Sequence, residues 1–82
     1  MTAPKPTEST REIVAHNVRR LRLAKDISQE QLAALAGFHR TYVSQVERCV
    51  TNISVDNIER LAKVLEVESW VLLKPTQHGN DT

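Results

Sequence analysis

A chain of 82 residues can bury one modest core, which limits it to a single small domain whose marginal size favours association. Apolar residues at 40% and charged residues at 26% exclude disorder throughout, while a net charge of +1 by itself argues weakly against a nucleic-acid partner. One cysteine excludes an internal disulfide, no apolar run is long enough to span a membrane, and the N-terminus lacks the apolar core of a signal peptide, so the cytoplasm is the expected compartment.

Residues 1–8 hold two prolines and little apolar surface and are expected to form a mobile tail, as are the polar residues 76–82; the folded domain is expected over 9–75. Ser9 or Thr10 can cap a first helix, with Glu12 closing a capping box to Ser9. Val14, Val18 and Leu21 supply its inner edge, and it should stop near Lys25 and Asp26. Ser28 caps a second helix with Gln31 three residues on, and Leu32, Ala33 and Ala36 line one face of it. Gly37 ends that helix in the left-handed conformation that other residues resist. Beyond apolar Phe38, a third helix starts at about His39, with Val43 and Val46 as a narrow buried edge. Ser54 caps a fourth, in which Ile58, Leu61, Ala62 and Leu65 are spaced for the core. A short fifth, Ser69 to Leu73, ends before Pro75. No stretch shows sustained strand alternation, so the fold is expected to be all-α, a five-helix bundle.

The block from Gln29 to Arg48 combines a short helix, a tight glycine turn and a second short helix. Two helices that meet at a steep angle need a small residue at the contact, and Ala33 supplies it. The block therefore reads as a helix-turn-helix. With Val43 and Val46 turned inward, the outward edge of the third helix is Arg40, Thr41, Ser44 and Gln45. Arg40 can donate two bonds to guanine, Gln45 can pair bidentately with adenine, and Thr41 can offer a methyl to thymine or a hydroxyl to a base edge. Arg40 also fits an ordinary helix-start arginine bound to phosphate or water. Charge is concentrated in the same half: from Arg11 to Arg48 seven Lys/Arg stand against four acids, whereas from Cys49 onward three stand against five. That placement favours phosphate contact over a merely solvated face.

Ala33, Gly37, the apolar positions Leu32, Ala36, Phe38, Val43 and Val46, Ser28-Gln29, Glu47-Arg48 and Asn52-x-Ser54 together resemble the helix-turn-helix of the Cro and CI repressor type, over roughly residues 14–73. Within it, HRTYVSQVER and the later NIS and LEV segments are most similar to the controller proteins of restriction-modification systems. The resemblance implies a lambda-repressor-like fold and a homodimer that presents the third helix of each protomer to the major groove of double-stranded DNA. Two-fold symmetry implies an inverted-repeat operator with half-sites about 34–36 Å apart or a multiple of that. A controller protein would regulate its own gene and a neighbouring endonuclease gene; a phage-type or general repressor is the other reading.

The resemblance also assigns Gln29 to a backbone phosphate, with His39, Tyr42, Arg48 and Asn52 as further phosphate candidates. Tyr42 could equally pack on helix two, and Asn52 could be a turn residue bonded to its own backbone. An arginine of helix one pairs in this family with the glutamate that ends helix three, which makes Arg22 and Glu47 an expected structural ion pair. Leu72 and Leu73 are expected to be mostly internal, leaving Trp70 and Val71 for the dimer interface, unless Trp70 folds back over its own domain. Asp26 and Cys49 stand at helix ends where the family commonly has glycine. Cys49 could be a redox-sensing thiol or a small filler. His16, His39 and Cys49 lack metal-ligand spacing, and no metal, cofactor, small-molecule ligand or catalytic constellation is expected. The rival function is an antitoxin or co-regulator whose main partner is another protein, since fold alone does not fix function.

Overall fold

Three serines set where the chain turns helical. In the computed structural model, which describes residues 9–76, the Ser9, Ser28 and Ser54 hydroxyls accept from the backbone N–H three residues on, at 3.1, 2.9 and 3.0 Å. Glu12 and Gln31 return the bond to the backbone N–H groups of Ser9 and Ser28, completing two capping boxes. The helices are α1 (Thr10–Ala24), α2 (Gln29–Ala36), α3 (Arg40–Glu47), α4 (Val55–Leu65) and α5 (Ser69–Leu73). The described residues form no strand. Both expected tails, residues 1–8 and all of 76–82 except Thr76, lie outside the described residues.

The first four helices end by one device. At Asp26, Gly37, Cys49 and Glu66 φ turns positive, to 59°, 81°, 65° and 61°. Each left-handed residue and the one after it donate backward, as in Phe38 N–H to the Ala33 carbonyl at 2.8 Å and Val50 N–H to the Gln45 carbonyl at 3.0 Å. Carbonyls that would end a helix unpaired are thereby satisfied. The residue that follows each of these four positions is apolar: Ile27, Phe38, Val50 and Val67. Lys25, hydrogen-bonded to Glu66 at 2.7 Å, ties the end of α1 to the end of α4 and holds the exposed Glu66 carboxyl below the usual carboxylate range.

Val14 and Val18 of α1, Leu32, Ala33 and Ala36 of α2, Val43 and Val46 of α3, Ile58, Leu61, Ala62 and Leu65 of α4 and Leu72 of α5 form one core. Leu32, Leu61 and Leu72 are wholly buried, each contributing about 1.5–3 kcal/mol of transfer free energy. Leu72 is the buried residue of α5. Leu73 is 42% exposed, not internal as the resemblance implied, because a five-residue helix has one buried edge and Leu73 lies about 100° round from Leu72.

A buried polar residue also holds α5. Asn17 has no exposed surface, and its amide nitrogen donates to the carbonyls of Val71, Leu72 and Lys74 at 3.2, 2.9 and 2.9 Å. These are the carbonyls at the end of α5, so the middle of α1 caps α5 and fixes its direction. Its oxygen accepts from Arg20 at 3.2 Å. Lys74 is extended, as the residue before Pro75 must be.

Candidate nucleic-acid interface

The reading edge of α3 exists because its opposite edge is buried. Val43 and Val46 lie in the core against α1 and α2, which leaves Arg40 and Thr41 exposed and Ser44 and Gln45 half-exposed on the other side. His39 is the exposed residue before the helix, without a side-chain capping bond. The first turn of α3 therefore presents a guanidinium and a hydroxyl outward, with the Gln45 amide one turn further along. These groups can donate to and accept from base edges in a groove wide enough for a helix.

Three helices converge behind this edge on one carboxylate. Glu47, at the end of α3, has a side chain 3% exposed and receives Arg22 of α1 in a two-point contact, Nε to Oε2 at 2.7 Å and Nη2 to Oε1 at 3.1 Å. Gln29, the first residue of α2, donates its amide nitrogen to Oε1 at 3.0 Å. Arg22 also donates Nη1 to the Ile27 carbonyl at 2.8 Å, inside the α1–α2 connection. The exposed Arg19 lies 3.9 Å from the same Oε1. The negative charge of Glu47 is thus enclosed by donors and directed inward, away from any approaching polyanion. Gln29 keeps a second amide hydrogen for an external acceptor.

On the other flank, α4 grips the turn. Arg60 donates Nε and Nη2 to the Ala36 carbonyl at 3.1 and 2.9 Å and Nη2 to the Gly37 carbonyl at 2.9 Å. Its guanidinium lies 4.1 Å from the Phe38 ring centre. Phe38 packs on Tyr42 with ring centres 4.7 Å apart, and the Tyr42 oxygen accepts from Asn57 of α4 at 3.0 Å. Tyr42 therefore packs on the turn and on α4 rather than on helix two, and its own O–H proton remains available to an acceptor. Arg60, Asn57 and Asn17 carry none of the sequence expectations. Each acts across two dozen or more positions or through a polar bond, for which hydrophobic periodicity gives no signal.

The remaining phosphate candidates lie around this edge. Arg48 is exposed directly after α3. Asn52 is exposed in the following loop, and its side-chain oxygen accepts from Arg11 of α1 rather than from its own backbone. Trp70 is 59% exposed, with the Lys74 ammonium 5.9 Å from its ring centre, and so does not fold back over its domain; Val71 is half-buried. The described residues contain no cluster of potential metal ligands and no helix long and apolar enough to cross a membrane.

Comparison with known proteins gives the same architecture. The helix-turn-helix family model matches residues 18–69. The control protein C.BamHI of Bacillus amyloliquefaciens is 44% identical over 75 residues, covering 90% of this chain and 93% of that protein. The crystal structure of the hypothetical transcription factor NHTF from Neisseria superposes with a TM-score of 0.82 at 42% identity, over 95% of this chain and 93% of that one. The restriction-modification controller protein C.Esp1396I, solved as a tetramer in complex with its natural 35 base-pair operator, gives a TM-score of 0.72 at 35% identity, over 79% and 87%. With the buried clamp behind α3 and a match of this extent, this chain belongs to the helix-turn-helix family that contains the restriction-modification controller proteins.

Proposed function

We propose that the protein is a sequence-specific transcriptional regulator of controller type that binds an inverted-repeat operator as a homodimer. The observation that carries this reading is the division of α3 into a core edge, Val43 and Val46, and an outward polar edge, Arg40, Thr41, Ser44 and Gln45. In this reading Arg40 donates to a guanine, Thr41 and Ser44 contact neighbouring base edges, and Gln45 pairs with adenine. Gln29, His39, Tyr42, Arg48 and Asn52 hold flanking phosphates, which fix register without reading sequence. Arg22 and Glu47 are structural: they hold the reading helix against α1. Trp70 and Val71, joined by the exposed Leu73, form the surface that meets a second copy. The protein works in the cytoplasm, on the promoter of its own gene and that of a neighbouring endonuclease.

Selection of bound sequences from a random duplex library tests this. The expected result is an inverted repeat with half-sites about 34–36 Å apart or a multiple of that, and binding that weakens steeply with salt. A library that stays random after selection, beside tight capture of a partner protein, would contradict the proposal and favour a protein-binding module.

A further inference from the structure

Arg11 stands at the second position of α1, where the helix end carries partial positive charge and a cation is disfavoured. Its neighbour Glu12 is turned back to the helix end, where Oε1 accepts from the Ser9 backbone N–H at 2.7 Å in the capping box, and it forms no ion pair with Arg11. Among the described residues no carboxylate pairs with Arg11. Nη2 of Arg11 donates instead to Oδ1 of Asn52, forty-one positions away in the loop between α3 and α4. Because the acceptor is a neutral amide, the exposed guanidinium keeps its full positive charge in this bond.

That bond also sets the direction of the Asn52 amide. With the oxygen turned toward Arg11, the outward end is the NH2 group, which can only donate. Together with the other guanidinium N–H groups of Arg11 it makes a rim of donors, suited to an anion with several acceptor oxygens. Arg11 and Asn52 line a hollow of about 290 Å³ together with Thr10, Val14, Ile53 and Ile58. A nucleic-acid backbone unit has the same division, a sugar rich in C–H groups and a charged phosphate. The loop that carries Asn52 begins where α3 ends, so the seat adjoins the proposed reading helix.

We propose that Arg11 and Asn52 form a seat for one sugar–phosphate unit of the duplex backbone, extending the DNA footprint from α3 to the first turn of α1. The inference rests on the reading of α3 as the groove-facing helix. Arg11 supplies the charge and orients the Asn52 amide, which supplies a neutral donor.

The test uses the full chain, the duplex that the parent protein selects and a scrambled duplex of equal length, with affinities measured across salt concentrations. Arg11→Ala is expected to weaken both duplexes equally, by about tenfold near physiological salt, because phosphate contacts carry no sequence information. The slope of log affinity against log salt should fall by about 0.9 per lost contact, hence about 1.8 for a two-protomer complex. Arg11→Lys should regain the slope while recovering only part of the affinity, since one ammonium does not reproduce the guanidinium fork. Asn52→Ala should cost less in the Arg11→Ala background than in the parent. A parent-like slope in folded Arg11→Ala, or a loss confined to the selected duplex, would overturn the proposal. If the parent itself selects no duplex, the proposed function fails, which is a separate outcome from a parent that binds and an Arg11 variant that binds equally well.

Discussion

The Arg60 guanidinium covers the Phe38 ring at 4.1 Å while bonding the carbonyls of Ala36 and Gly37, so one side chain of α4 closes the turn of the helix-turn-helix from outside. A Cβ at Gly37 would sit 2.6 Å from Nη2 of Arg60, and φ there is +81°. Gly37→Ala is therefore expected to cost on the order of 1 kcal/mol in backbone strain and to displace the Arg60 bonds, about 1–2 kcal/mol more. Arg60→Ala removes those bonds alone. Because the two changes remove the same contacts, the double variant should lose less stability in denaturant unfolding than the sum of the singles; a strictly additive cycle would show that Arg60 does not cap the turn.

Arg22→Ala leaves Glu47 buried with only Gln29 and the distant Arg19, and should destabilise the fold by about 3–5 kcal/mol. Pairing it with Glu47→Ala should restore part of the loss, the remainder being the Ile27 carbonyl that Arg22 also satisfies. Calorimetric melting of the four proteins measures the coupling. Independent effects would mean that the contact contributes nothing to holding α3.

Association should depend on α5 and on what orients it. Trp70→Ala is expected to give a folded chain that sediments as a monomer at concentrations where the parent is a dimer, with weaker operator binding because two linked half-site contacts become independent. Asn17→Ala should lower stability by about 2 kcal/mol and weaken the dimer as well, since it frees the end of α5 without touching the exposed surface. A Trp70 variant that dimerises as tightly as the parent would rule out this residue as an anchor.

Helix positions were legible because the local signals are strong: serine caps, a 3.6-residue apolar period and one glycine at a turn. All five helices were readable on that basis, as was the left-handed geometry at Gly37 and, through the resemblance, the special standing of Asp26 and Cys49. Glu66 has no glycine to mark its left-handed geometry, and only the apolar residue after it, Val67, repeats the pattern of Ile27, Phe38 and Val50. The exposure of Leu73 runs against the resemblance, and a run of apolar residues does not say which edge of a short helix faces the core. Asn17, Arg60 and Arg11 act through polar bonds between segments distant in sequence, and such bonds leave no periodic trace. Gln29 illustrates the same limit: its place at the start of α2 was evident, its bond to Glu47 was not.

If the outward edge of α3 reads bases, replacing Arg40 should change which operator sequences the protein prefers. Competition binding among single-base variants of the selected operator should show that Arg40→Ala loses about 1–3 kcal/mol on the best sequence and no longer discriminates at one guanine per half-site. Gln29→Ala, by contrast, should weaken every variant alike. An Arg40→Ala protein that ranks the operator variants in the same order and by the same ratios as the parent would contradict the account.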